Sequence, residues 1–179
     1  VAAVEALNRE RGSALRIGVG LNLGDACVGN LGSQQRFSYS AIGDTVNLAS
    51  RVEGLTKYYG VTVMVTDAVR VEAADLAYLE VDRVRVVGRT EPVQLFALLG
   101  DAQFAQQADF QALAQAHAQV LGLYRCGDFG AALRALGALQ AQCELQLLTQ
   151  LHMLYLQRLE QLIKHPPTQW DGIFTATSK

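Results

Sequence analysis

Gly100 divides the chain into two chemistries, and this division limits the fold more than any other feature. Before it, apolar runs are short, rich in valine and glycine, and separated by turn-forming residues. After it, residues 101–164 are rich in alanine, leucine and glutamine and contain no proline. The first pattern is that of strands alternating with helices. The second is that of helices packed on helices.

The first stretch resolves into elements. VAAVEALNR (1–9) reads as an amphipathic helix already under way, with neither an initiator Met nor a cap, so the chain is expected to be a fragment of a longer protein. LRIGVGL (15–21) and ACVGNLG (26–32) flank the turn chemistry of NLGD and read as a hairpin. RFSYSAIG (36–43) is a third strand. Asp44 offers an N-cap carboxylate for a helix over Thr45 to Tyr59, and Gly60 ends it as a left-handed residue would. VTVMVTD (61–67) is β-branched and leads into a short helix near AVRVEAAD. YLEVDRVRVVG (78–88) sets Leu79, Val81, Val84 and Val86 against charged neighbours, and VQLFALLG (93–100) returns as its partner after GRTEP. The class is α+β with mostly antiparallel pairing.

Beyond Gly100, YRCGDFGAALRAL (124–136) breaks at Gly127 and restarts with Asp128 as N-cap. A helical hairpin with a third helix from about Leu145 to Lys164 fits, and Pro166 and Pro167 stop it. The tail is extended, with Trp170 as its anchor. Three units follow: residues 1–100, a helical annex over 101–165, and a tail over 166–179.

Composition excludes some functions. A formal net charge of −2 leaves no broad basic face for nucleic acid. No apolar run approaches the ~18 residues of a spanning helix, and no signal peptide precedes the first strand. Cys27, Cys126 and Cys143 form neither a CxxC pair nor a Cys/His cluster. They read as buried thiols in a reducing compartment.

One helix carries an unusual pair. Asn47 and Arg51 are four residues apart and share a face. The apolar stripe expected on this helix is Val46, Ala49, Val52, Leu55 and Tyr59. The pair lies ~100° off the centre of that stripe, at the rim between core and solvent. Arg supplies a planar, permanently charged fork suited to phosphate. Asn supplies an amide that can orient a hydroxyl. The plainer alternative is that Arg51 pairs with Glu53 or Asp44.

The surrounding residues bear on that choice. RIGVGLNLGDACVGNLGSQQRFSYSAIGDTVNLASRVEGLTKYYG (16–60) resembles the class III nucleotidyl cyclases, the adenylate and guanylate cyclase family. IGVGLNLGDACVGNLGS looks like the family's central hairpin and YSAIGDTVNLASRVE like its signature helix. The likeness continues through VTVMVTDAV and VRVVGRTEPVQLFAL and covers about residues 1–100. The annex and the ending HPPTQWDGIFTATSK resemble the C-terminal extension of bacterial membrane-anchored sensor cyclases.

The resemblance implies a cyclase-like (ferredoxin-like) antiparallel sheet with helices, N-terminally incomplete, followed by the helical annex. It implies conversion of ATP to 3′,5′-cyclic AMP and pyrophosphate at a site shared by two catalytic domains, and so a homodimer. By it, Asn47 orients the ribose, Arg51 stabilises the transferring α-phosphate, and Ser40 reads the base edge. Ser40 leaves adenine against guanine open, since a hydroxyl both donates and accepts. A polar strand face is its plain reading.

Two departures from the family pattern stand out. The family holds two Mg²⁺ or Mn²⁺ ions with two aspartates that belong upstream of Val1; Asp25 and Asp44 match neither motif, so no residue here is assigned to metal. The family's triphosphate-binding lysine is replaced by Val87, and Arg89 is the substitute candidate, against a plain reading as a turn residue beside Glu91. The expectation is therefore an intact parent with activity, held by N-terminal spans at the inner face of a bacterial membrane with this part in the cytoplasm. The isolated chain is expected to be inactive, with a sticky edge where strands are missing. The alternatives are a guanylate cyclase, a degenerate cyclase-like module that binds nucleotide or a partner without chemistry, and a helical interaction scaffold.

Overall fold

A computed structural model describes residues 2–33, 36–86, 91–142 and 148–175. The order is α1 (Ala2–Arg11), β1 (Val19–Leu21), β2 (Cys27–Ser33), β3 (Arg36–Ile42), α2 (Asp44–Tyr59), β4 (Val63–Thr66), α3 (Asp67–Glu72), β5 (Ala77–Arg85) and β6 (Val93–Gly100). The annex contributes α4 (Ala102–Ala105), α5 (Ala108–Arg125), α6 (Phe129–Gln142) and α7 (Thr149–Lys164), and the tail β7 (Phe174–Thr175).

Five strands form one sheet in the order β1-β4-β6-β5-β7. The inner pairs β4–β6 and β5–β6 are antiparallel, whereas β1–β4 and β5–β7 at the two edges are parallel. The α+β class expected from the sequence is thus realised, with helices on a mixed sheet.

The expected hairpin between residues 15–21 and 26–32 does not form. Strand β2 pairs along its whole length with β3, from Cys27↔Ile42 to Ser33↔Arg36, as a separate two-stranded ribbon. Strand β1 instead pairs parallel with β4, with α2 as the crossover. The reason lies in the glycines of RIGVG. A Cβ at Gly20 would collide with the backbone of Ala49 and Glu53, so α2 lies directly on β1 and holds it in the main sheet. The turn chemistry of NLGD is real, but it carries the chain out of the sheet and not back along it.

Helix α2 differs in two details. Its N-cap is Gly43, and Asp44 is the first helical residue, so the carboxylate sits in the first turn and not at the cap. Its buried row is Leu48, Val52, Thr56 and Tyr59, while Val46, Ala49 and Leu55 are half-buried flanks. The close approach of the helix backbone to β1 rotates the helix so that Leu48 faces inward. Gly60 ends the helix in the left-handed region, φ 71°, as the sequence indicates.

Strand β5 explains its own pattern. Leu79 and Val81 point inward, yet so do Val84 and Val86, a step of three in the middle of a period of two. A register shift between Glu80 and Asp82 absorbs the extra residue and turns Asp82 into the core, where it is 1% exposed.

The annex follows the sequence closely. Gly127 takes φ 84°, and Asp128 Oδ1 accepts from the Ala131 amide at 3.0 Å to start α6. The expected beginning of the last helix at Leu145 lies outside the described residues, as do Cys143 and Arg89. One continuous hydrophobic core runs from Val52, Met64 and Leu95 to Leu121, Leu136 and Leu159 of the annex. The cysteine expectation is corrected: Cys27 and Cys126 are exposed. Cys27 opens the ribbon beside the exposed Ala26 and Val28, and Cys126 sits at the C-terminal end of α5, where the chain surfaces.

Candidate functional site

Helix α2 is tied at both ends and packed along its middle on β1, where the backbone of Ala49 and Glu53 meets Gly20, and its outer face stays open. At its start, the Asn47 amide donates to Gly43 O at 3.1 Å and closes the first turn. Asn22, just after β1, donates through Nδ2 to Thr45 O at 3.1 Å and accepts from Thr66 Oγ1 at 2.8 Å. One amide thus ties the end of β1, the end of β4 and the first turn of α2. The sequence gives Asn22 only as part of a turn; its bridging role depends on the parallel β1–β4 pairing.

Asn47 is exposed and Arg51 half-buried. Neither enters the hydrophobic interior. Among the described residues, neither side chain makes a hydrogen bond or ion pair, so the plain reading in which Arg51 is spent on a neighbouring carboxylate is not what the geometry shows. Ser40 sits on β3 opposite Gly29, half-buried, its Oγ 3.5 Å from that of Ser38.

A cavity of about 300 Å³ opens at the N-terminal end of α2, lined by Asn22, Thr45, Thr66, Asp67 and Gln94 among others. Neither Asn47 nor Arg51 lines it. The pair therefore lies outside this cavity.

The carboxylates do not assemble a metal centre. Asp25 and Asp44 are both exposed, and among the described residues no cluster of three or more His, Cys, Asp or Glu side chains has the makings of one. The donor set does not fit two divalent ions.

The C-terminal end of α2 is enclosed by the annex. Tyr59 donates its hydroxyl to Asp82 Oδ2 at 2.7 Å, and Arg158 of α7 reaches the same oxygen at 2.6 Å. The second Arg158 nitrogen donates to the hydroxyls of Tyr58 and Tyr59 at 3.2 and 3.3 Å. The guanidinium also lies 3.7 Å from the ring centre of Phe174 in the tail. Gln150 of α7 donates to the carbonyls of Lys57 and Tyr58 at 2.9 and 3.3 Å. None of these partners is legible in the sequence, because Asp82 reads as an outward charge and Arg158 as helix surface.

A second contact joins annex and sheet. His117 of α5 is 1% exposed, with Nε2 2.8 Å from Glu80 O. Burial pushes its pKa down to about 4, against a smaller opposing effect of that backbone bond. His152 of α7 stacks on it at 5.6 Å and is likewise lowered by burial. Arg125 pairs with the Glu80 carboxylate at 2.5 Å. Trp170 docks as expected of an anchor, donating Nε1–H to Tyr124 O at 2.9 Å and packing edge-on against Tyr124 and Phe129.

Sequence comparison supplies the class of this mixed α+β domain. The chain belongs to the adenylate and guanylate cyclase catalytic domain family, which it matches over residues 1–100. Adenylate cyclase 1 of Rhizobium meliloti is 35% identical over 102 residues, covering 54% of this chain and 15% of that protein. The adenylate cyclase of Anabaena cylindrica is 33% identical over 87 residues, covering 46% and 17%. The chain thus spans less than a fifth of the length of these curated relatives. Among solved structures, the adenylyl cyclase CyaB from P. aeruginosa is 24% identical, covering 56% of this chain and 52% of that one with a TM-score of 0.47. The family is generally metal-dependent, takes nucleotide substrates and pairs its domains. Among the described residues, no helix is long and apolar enough to cross a membrane.

Proposed function

We propose that this chain is part of the catalytic domain of an adenylate cyclase and supplies the residues that orient the ribose and stabilise the reacting phosphate. The observation that carries this reading is the state of the pair on α2: Asn47 exposed, Arg51 half-buried, one turn apart and unengaged by any described residue. An arginine without a carboxylate partner at a helix rim keeps its fork free for an incoming anion.

In the proposed reaction the ribose 3′ oxygen attacks the α-phosphorus in line. A new P–O bond forms at the 3′ position, the bond to the α–β bridging oxygen breaks, pyrophosphate leaves with that oxygen, and the 3′ hydroxyl proton passes to solvent water. Negative charge grows on the α-phosphoryl oxygens and on the leaving group. Arg51 meets the first of these. Its charge is fixed and needs no reorganisation as the reaction proceeds. Asn47, a turn earlier on the same face, holds the ribose so that the 3′ oxygen is aimed. Ser40 at the end of β3 contacts the base edge, and Arg89 receives the triphosphate in place of the missing lysine.

Two features belong to the whole protein in this proposal. The open rim is closed by a second cyclase domain, giving a homodimer. The two Mg²⁺ or Mn²⁺ ions would be held by aspartates that this chain does not supply, and no step is assigned to its own carboxylates. The parent is proposed to work at the cytoplasmic face of the inner membrane.

The test is cyclic nucleotide formation from ATP and from GTP by the full-length protein in Mn²⁺. Arg51→Ala lowers kcat by on the order of 10²–10³, the usual cost of removing one transition-state donor. The isolated chain gives no turnover. An unaltered rate in Arg51→Ala, or a robust rate from the isolated chain, overturns the proposal.

A further inference from the structure

We propose that α7 of the annex is a positioning element for the Asn47–Arg51 pair, with Gln150 and Arg158 as the residues that transmit its position to α2. The inference rests on the catalytic reading of that pair and adds how the pair is controlled.

The last turn of α2 is where the annex holds it. Gln150 spans the carbonyls of Lys57 and Tyr58, two acceptors that a helix leaves unpaired at its C-terminus. Its side chain packs so closely on Gly60 that a Cβ there would collide with it. Gly60 already needs its left-handed φ, so the site where α2 stops is also the site where α7 docks. Arg158 adds two hydrogen bonds to the tyrosine hydroxyls of the same turn and anchors them to Asp82 of β5. Phe174 closes the assembly by stacking on Tyr58 at 5.7 Å and on Arg158.

From Tyr58 to Arg51 is seven residues, about 10 Å of helix. A helix is stiff over that length, so a rotation or shift imposed on its last turn reaches Arg51 and Asn47. Nothing among the described residues holds those two side chains locally. Their placement therefore follows the placement of the helix, held at its start by Asn22, along its middle by the packing of Ala49 and Glu53 on Gly20, and at its end by α7. A signal that loosened or moved α7 would change how the pair is presented, without touching the site itself.

The test uses two substitutions at exposed Gln150, chosen so that the chain still folds. Gln150→Glu removes the donor and puts a negative charge at a helix C-terminus. Gln150→Lys keeps a donor for the same carbonyls and suits the helix dipole. In the 179-residue chain, amide hydrogen exchange is expected to quicken on the order of tenfold in Gln150→Glu along α2, including residues 47–51, and to return towards the native rate in Gln150→Lys. The thermal midpoint stays close to native in both. In the full-length protein Gln150→Glu lowers kcat, with a smaller change in KM. Faster exchange confined to residues 57–60, or none, overturns the coupling: α7 would then only cap the helix. Wild-type cyclase activity in Arg51→Ala would refute the catalytic reading instead, and the two failures are told apart because the exchange experiment does not involve turnover.

Discussion

The two flanks of α2 are built on opposite principles. Its Asn47–Arg51 rim leaves an amide and a guanidinium without a described partner, beside a ribbon that exposes Val28, Tyr39 and Ile42. Its C-terminal turn buries a guanidinium, a carboxylate and Tyr59 in one network, with the more exposed Tyr58 at its edge, and closes it with a phenylalanine. The same residue type, arginine, serves both. Arg158 is 8% exposed and engages Asp82, Tyr58 and Tyr59 through its two terminal nitrogens, with only Nε left without a partner, whereas Arg51 is half-buried and has no described hydrogen-bond or ion-pair partner. A polar group that is satisfied internally can fix structure. One left open at a rim is available to a group from outside the chain, the role proposed above for Arg51.

The sharpest way to break this contrast is to remove each arginine and measure unfolding in urea. Arg158→Ala strips Asp82 of its charged partner and leaves the carboxylate in the core. Breaking one side of a buried pair costs about 3–5 kcal/mol. Arg51→Ala removes no described interaction and changes stability by no more than about 0.5 kcal/mol. Equal losses in the two variants would mean that the rim is as integral to the fold as the junction. Replacing Asp82 and Arg158 together with apolar residues should recover much of the loss, since the pair is costly to desolvate.

Acid is the next probe of the junction. His117 has its folded pKa lowered to about 4 by burial, against an ordinary value of 6.5. The unfolded chain therefore binds more protons between those values, and stability falls as pH drops through that window. The full contribution is present above pH 6.5 and amounts to on the order of 3 kcal/mol. His152 shifts the same way and adds to the slope. Substituting His117→Gln keeps a donor for Glu80 O and removes the titration. Urea midpoints measured from pH 7 to pH 4 should then fall less steeply than in the native chain. An unchanged slope would place the acid sensitivity elsewhere.

What could be read in advance divides along the same line. Elements defined by local chemistry were legible: Gly60 as the end of α2, Gly127 and Asp128 between α5 and α6, and Trp170 as an anchor. The Asn47–Arg51 pair was legible too, because four residues on a helix fix a shared face regardless of what surrounds it. Contacts between distant segments were not. The pairing of β1 with β4 rests on how closely α2 approaches Gly20, and turn chemistry alone suggested the nearer strand. Asp82 reads as one more outward charge until the register shift in β5 turns it inward. Arg158 lies 76 residues away, and no local rule connects the two. The exposure of Cys27 and Cys126 followed from where the ribbon and the end of α5 lie, which composition does not encode.

The weakest hold on the junction lies where the tail meets the sheet. Arg85 and Asp171 form a 2.8 Å ion pair, but their side chains are 37% and 52% exposed. The hydrogen bond from Arg85 is the main reason the Asp171 carboxyl titrates below its usual range. Water and salt screen such a pair, and exposed pairs contribute about 0–1 kcal/mol. The tail has stronger holds on either side: Trp170 on Tyr124, and Phe174 paired with Val84 and stacked on Arg158. Arg85→Ala should therefore lower the unfolding free energy from urea titration by no more than about 0.5 kcal/mol, and that difference should vanish in ~1 M NaCl, where the screening length is about 3 Å. Trp fluorescence should stay native, because the indole remains docked. A red-shifted emission in Arg85→Ala would show that the ion pair, and not the aromatic contacts, keeps the tail in place, and the junction would then be closed by a contact as exposed as the rim it is contrasted with.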